Sequence, residues 1–287
     1  MYKIEKYKDF KRFNEQYGEI YRFLLENADE GCNEHFHWGR FEWMIGHSML
    51  DVDNLDKIAM FKDENNQIVG LITYDTVYQD RVYILHSIDD EELLRNMVDY
   101  AANQEEGTVE IKVNSKDEAL CRILREKKYV KGDMCDNVLE INLSEDLNYD
   151  LPEGYDISPY DFKIDDWKYA VVIHRGFNHE GLPEKVEDDN EEEPAPNYNA
   201  NLKVFVLDKD QYCAHCGVWY TKGKTAYIEP VVTIPECRKL GLGRAVIYEA
   251  ISRAKKMGAE RAVVLSSQEF YYSIGFKESS EFGDWIK

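Results

Sequence analysis

The 287-residue chain has no run of about 18 apolar residues, which speaks against a membrane-spanning helix. Its opening stretch, MYKIEKYKDFKRF, mixes charge with aromatics and lacks the apolar core of a secretory leader, so a cytoplasmic location is expected. Cysteine is sparse. The six residues, Cys32, Cys121, Cys135, Cys213, Cys216 and Cys237, are too scattered for a disulfide framework. Cys213-Ala214-His215-Cys216 has CxxC spacing, but no second ligand pair follows, and the segment reads as a strand. Residues three apart on a strand face opposite ways, so packing within a sheet is expected and no metal site. Positive charge is also short: 35 Lys and Arg stand against 56 Asp and Glu, a net charge of -21. Such a field repels nucleic acid and anionic lipid and concentrates cations, so neither a nucleic-acid nor a membrane partner is expected. It favours a cationic small molecule, although solubility alone is another use for it.

What the chain does contain is a repeat. Lys57–Thr76 and Leu202–Thr221 each read as strand, polar turn and strand, with Gly70 and Gly217 near the middle of the second strand. A third strand follows in each half, Arg81–Ile88 and Ala226–Ile234, and then an amphipathic helix. Leu93, Leu94, Met97, Val98 and Ala101 share one face of the first helix. Ala245, Val246, Tyr248, Ala250, Ile251 and Ala254 share one face of the second. Gly258, after Lys255 and Lys256, suits a left-handed helix cap. Further strands at Thr108–Val113 and Arg261–Leu265, then short helices and final strands around Tyr129 and Phe276, complete the two copies. Helical segments are expected beforehand at Phe10–Leu25, His35–Met49 and Asp165–Asn178. The glycines repeat at an interval of 147 residues (217 − 70), too long for a solenoid and right for a duplicated domain. The expected architecture is therefore α/β: two tandem mixed α/β domains, residues 1–148 and 149–287, divided near the polar Asp146–Gly154.

The most informative segment is IEPVVTIPECRKLGLGRAVIYEA, Ile228–Ala250. A strand ends at Ile234, Pro235 breaks it, and a glycine-containing loop enters a long helix. Unpaired N–H groups at the positive end of a helix suit a pyrophosphate, and Gly241 and Gly243 let the backbone approach it. Arg238 and Arg244 add positive charge. Val246 stands where a dinucleotide fingerprint needs its third glycine, and no Walker-type GK[ST] follows. An ordinary strand-to-helix turn is the alternative.

RKLGLG is similar to the R/Q-x-x-G-x-G/A loop of the GNAT superfamily of N-acetyltransferases, and FYYSIGF (Phe270–Phe276) resembles that family's F-Y-x-x-x-G-F element. The resemblance spans roughly Asp156–Lys287; the first half is similar in layout only. It implies acetyl-CoA as co-substrate. Val231 and Thr233, with Val232 between them, would line its pantetheine arm by main-chain groups on a splayed strand. Arg238, Lys239, Leu240, Gly241, Leu242, Gly243 and Arg244 would hold the pyrophosphate. Tyr271 would be the general acid, with Tyr272 the neighbouring alternative. The family often shows an Asn shortly before the F-Y pair, where this chain has Ser266-Ser267-Gln268-Glu269.

An ammonium cannot attack a thioester, so a base is required, and Glu229, two residues before Val231, can supply it. A structural hydrogen-bond acceptor is the other use of that side chain. The expected function is transfer of acetyl from acetyl-CoA to an amine, a small cationic one on the charge balance, by direct transfer in a ternary complex without a metal. A non-catalytic CoA-binding module in regulation or assembly is the alternative. The first half has Asp89-Asp90-Glu91-Glu92 where the loop would be, which repels phosphate and marks a degenerate copy. Trp38, Phe41 and Met44 share a helix face, which is core packing, with an acceptor-pocket lining as the alternative. His47, His86, His174 and His179 show no ligand spacing and are assigned no role. The acidic stretch Glu184–Tyr198 reads as a solvated loop, or as a lip that attracts cations.

Overall fold

The computed structural model describes residues 2–8, 11–29, 32–47, 49–104, 109–145, 147–183 and 195–287. Most of the acidic stretch at 184–198 therefore lies outside the described residues. The chain forms two compact units. The first comprises Met1–Leu139, Leu265–Glu269 and Lys277–Lys287, and the second Glu140–Val264 and Phe270–Phe276. This differs from a division at 148/149. Order along the chain implies that each half keeps its own last strand, whereas the C-terminal strand belongs to the first unit.

The first unit contains β1 (Lys3–Lys6), α1 (Glu15–Glu26), α2 (Trp38–Gly46), β2 (Ala59–Lys62), β3 (Ile68–Thr73), β4 (Arg81–His86) and α3 (Glu91–Ala102). β5 (Glu110–Asn114), α4 (Glu118–Glu126) and most of β6 (Val130–Asn142) follow. Its sheet has the order β1-β2-β3-β4-β5, and the C-terminal strand, Lys277–Ile286, lies between β5 and β6. That strand runs antiparallel to β5, with Gly283 opposite Val113. The apolar face expected on α3, Leu93 to Ala101, is fully buried against Phe61, Ile72, Ile84 and Ile111, and Trp285 joins the same cluster. Phe36, Trp38, Phe41 and Met44 are buried too, as core packing requires.

In the second unit come β7 (Tyr155–Ile157), α5 (Asp166–Gly176), β8 (Lys203–Asp208), β9 (Gln211–Trp219), β10 (Thr225–Thr233), α6 (Leu242–Met257), β11 (Arg261–Leu265) and α7 (Glu269–Ser273). The strand at Lys277–Ile286 is thus β12. The sheet order is β11-β10-β9-β8-β7. β10 and β11 are parallel, and the rest pair antiparallel. The expected stripe on α6 is buried and packs against β8, β9 and β10. Gly258 ends the helix at φ +116°, the left-handed cap anticipated above. No helix among the described residues is long and apolar enough to cross a membrane.

Arg253 ties α6 to the loops beside it. It is 3% exposed, and its guanidinium donates to the Ser158 carbonyl (2.6 Å), the Asn201 carbonyl (3.0 Å) and Glu249 (2.8 Å). Arg253→Met keeps the stem but strands these acceptors. A loss of about 3 kcal/mol is expected in denaturant-unfolding stability, against under about 0.5 kcal/mol for a surface control such as Lys222→Met.

Candidate active site

Helices α1, α3, α4 and α5 each begin on an Asn or Asp whose side chain accepts a hydrogen bond from a first-turn N–H: Asn14, Asp90, Asp117 and Asp165. Helix α6 does not. It starts at Gly241 with no side-chain cap, and its first intrahelical bond runs from Ala245 N–H to the Gly241 carbonyl. The preceding amides therefore have no intrahelical acceptor and sit at the positive end of a 16-residue helix. Gly241 has φ +81°, and a Cβ there would meet nothing within 4 Å, so the turn is open to an approaching group. Gly243 is needed for the opposite reason. A Cβ at that position would meet the Phe270 ring at 3.1 Å and the Thr233 hydroxyl at 3.4 Å.

The loop arginines are already engaged. Arg238 donates to the Thr233 carbonyl and to the Gly176 carbonyl at the end of α5, both at 2.9 Å. Arg244 donates to the Asn148 carbonyl (3.0 Å) and lies over the Tyr248 ring. Both pin the loop to its surroundings. Lys239, Leu240 and Gly241 are exposed, and Leu242 is buried beneath them.

Beside the loop the sheet opens. Parallel pairing between β10 and β11 extends only from Thr225–Arg261 to Tyr227–Val263. β10 continues to Thr233, paired on its other edge with β9. The Ile234 N–H donates to the Cys213 carbonyl, so Ile234–Cys213 and Val232–His215 are the hydrogen-bonded pairs. Val231 and Thr233, opposite Cys216 and Ala214, then direct their N–H and C=O groups away from β9, toward the side β11 has vacated. The register shifts between Ile228 and Val231, and the Glu229–Pro230 peptide is cis. Gly217 on β9 allows this bulge, since a Cβ there would meet the Glu229 carbonyl oxygen at 2.5 Å.

Glu229 accepts a hydrogen bond from the Tyr227 hydroxyl (2.5 Å), and its carbonyl accepts from the Trp219 indole (2.9 Å). Tyr271 is buried on α7, packed between Phe270 and Phe276. Burial raises its hydroxyl well above the usual phenol range, and Cys216 and Glu229 raise it further. These two groups are thus close enough to act on Tyr271. Cys216, absent from the sequence-based site, belongs to the same surroundings, and burial holds its thiol protonated. Cys213, three residues earlier, interacts with Cys237 instead. The CxxC cysteines therefore have separate partners, as alternation along a strand requires. Phe270, which covers Gly243, was equally invisible as a site residue.

His215 lies on β9 between these cysteines, fully buried, stacked 4.4 Å from Phe205 and edge-on to Tyr169. One ring nitrogen, Nδ1, is 3.0 Å from the Val204 carbonyl. Burial, with Lys203 nearby, pushes its pKa down from 6.5 to about 3. Above pH 6.5 the folded and unfolded chains are both neutral at this site. Below it the unfolded chain takes up a proton that the folded one refuses, so stability falls as pH drops from 6.5 towards 3. Relative to His215→Phe, the wild type should lose up to about 1.4 kcal/mol more per pH unit in this window. Parallel unfolding-stability curves for the two proteins would contradict the assignment.

Comparison with known proteins agrees with this geometry. Residues 167–276 match the acetyltransferase (GNAT) family. No curated protein sequence matches the chain. Among solved structures, a GCN5-related N-acetyltransferase from Sphaerobacter thermophilus is 15% identical with a TM-score of 0.55, covering 100% of this chain and 95% of that one. A tandem GNAT protein from the clavulanic acid biosynthesis pathway is 11% identical with a TM-score of 0.60, covering 100% and 98%. A GCN5-related N-acetyltransferase from Kribbella flavida is 14% identical with a TM-score of 0.53, over 77% and 88%. The uncapped glycine turn, the opened strand and the buried tyrosine all lie within the stretch that matches the acetyltransferase (GNAT) family, in a chain that has the tandem GNAT fold.

Proposed function

We propose that the second unit transfers an acetyl group from acetyl-CoA to the amine of a small cationic molecule, directly, with both substrates bound together. The observation that carries this reading is the opened edge of β10 leading into a 16-residue helix that begins without a side-chain cap. The Val231 N–H and carbonyl and the Thr233 N–H suit an extended amide-bearing arm, taken as an added strand would be, while the Thr233 carbonyl is held by Arg238. The α6 amides suit a pyrophosphate, with Arg238 and Arg244 fixing the loop that presents them. Acetyl-CoA supplies the activated acyl group as a thioester.

In this reading Tyr271 keeps its proton at neutral pH and gives it to the departing sulfur, as its raised pKa supports. Glu229 takes the proton from the amine, directly or through water. Its hydrogen bond from Tyr227 holds the carboxylate in place. The net charge of -21 favours a cationic acceptor.

Isothermal titration of the whole chain with acetyl-CoA should give one site, and Gly241→Asp should abolish it by placing a carboxylate at the open turn. Tyr271→Phe should retain binding and lose about 100-fold or more in kcat. Binding without turnover in the wild type, across an acceptor screen, would support the non-catalytic CoA-binding alternative. A screen in which anionic amines are preferred would overturn the cationic acceptor.

A further inference from the structure

The first unit holds a cavity of about 1040 Å³ that the acyl-transfer reading does not use. Cys32, His86 and Asp117 meet in its wall, and one ligand atom from each lies within 4.8 Å of the other two. They come from three places in the fold: a turn before α2, the last residue of β4 and the N-cap of α4. The Cys32 Sγ is 3.5 Å from the His86 Nε2, and Asp117 Oδ2 is 2.7 Å from that same nitrogen. His86 and Asp117 are 3% and 5% exposed.

Two functions are open to a Cys, a His and an Asp brought together. A nucleophilic triad needs the thiol at one ring nitrogen and the carboxylate at the other. Here both groups approach Nε2, and Nδ1 faces the Ile88 carbonyl at 3.0 Å, with the exposed Asp89 carboxylate farther off at 3.7 Å, beyond hydrogen-bond distance. Three donors converging on one point is instead what a cation requires. For tetrahedral zinc, with Zn–S about 2.3 Å and Zn–N about 2.0 Å, the sulfur–nitrogen separation is about 3.5 Å. The distance between Cys32 and His86 agrees with this. The Asp117 oxygen has to withdraw by about 0.6 Å to reach the corresponding separation.

The surroundings hold the donors in place. Asn33 donates to the His86 carbonyl (2.7 Å) and accepts from the His86 N–H (3.2 Å). The Ile88 carbonyl orients the ring through Nδ1, the usual outer support of a metal-bound imidazole. Asp117 Oδ1 is held by the Leu120 N–H (2.9 Å), which leaves Oδ2 to serve as ligand.

We propose that Cys32, His86 and Asp117 bind one Zn²⁺, with the fourth coordination position open to the cavity. Binding replaces the thiol proton and the proton shared by His86 and Asp117, so two protons leave and a neutral site forms from one dication, one thiolate and one carboxylate. A thiolate and an imidazole select zinc over Mg²⁺ and Ca²⁺, which prefer all-oxygen ligands. The open position makes this an exchangeable site, unlike a closed structural one.

The test uses the reduced full-length chain, stripped of metal and titrated with Zn²⁺ against a chelating dye. Excess Mg²⁺ occupies the acidic surface. One ion per chain is expected. Loss of an outer-shell partner commonly weakens metal binding 10- to 100-fold, so Cys32→Ser and His86→Gln should each weaken it by at least about 10-fold. Cys135→Ser, at the exposed thiol, should leave it unchanged. Circular-dichroism melts check that the variants fold. Should His86→Gln unfold, Co²⁺ substitution remains decisive: a thiolate-to-metal absorption band should appear in the wild type and in Cys135→Ser but not in Cys32→Ser. No uptake by the wild type, uptake abolished by Mg²⁺, or uptake indifferent to Cys32→Ser would each overturn the proposal.

Discussion

Backbone donors and acceptors inside a sheet require partners, and β10 loses its neighbour partway along its length. As far as Tyr227 it is paired on both edges, with β9 and β11. Beyond that residue only β9 remains, and the outward groups of Val231 and Thr233 face the gap. Much of the second unit accommodates this parting. Gly217 admits the bulge at Glu229, the Trp219 indole takes up the Glu229 carbonyl, and Arg238 takes up the Thr233 carbonyl. The loop that follows then delivers the chain to α6 with its first amides uncapped.

The first unit shows the same parting filled differently. β4 and β5 pair in parallel only from Arg81–Glu110 to Tyr83–Lys112, and His86 lies beyond that limit on β4. The next helix, α3, opens on Asp90, whose carboxylate accepts from the Leu93 N–H at 2.8 Å, and Glu91 and Glu92 occupy the first turn. A helix start satisfied by carboxylates has no place for a phosphate. The first unit thus shares the divergence of its strands with the second, and its following helix starts on carboxylates and not on a glycine turn. In place of that turn, the space near His86 is bordered by the Cys32 turn and the cap of α4.

Much of this was legible in the residues. Period-2 and period-3.6 patterns located the hairpins to within three residues and the buried faces of α3 and α6 residue by residue, because both report which side meets the core. The glycine turn was legible because its spacing demands a particular backbone. The final strand was not. Nothing local in Lys277–Ile286 says which β-strand it joins, since pairing partners are a long-range choice. Cys32, His86 and Asp117 were hidden for the same reason: separated by 54 and 31 residues, they meet only through the fold. Arg238 and Arg244 were recognised as part of the loop, but charge alone could not show that their guanidinium groups bond to carbonyls.

That last difference bears on how so acidic a chain could hold the anion proposed at the start of α6. A mobile arginine among 56 carboxylates has many competing partners, and its attraction to each has to be given up, and its side chain ordered anew, when a phosphate arrives. Backbone amides at a helix start carry no such competition; they are fixed by the helix and cannot turn toward an acid. Committing Arg238 to Thr233 and Gly176, and Arg244 to Asn148, uses the positive residues as braces for that fixed array. Their charge still contributes at a distance, and the turn they brace supplies the directional bonds. The anion site proposed here would therefore depend more on the shape of the Gly241–Gly243 turn than on the charge around it.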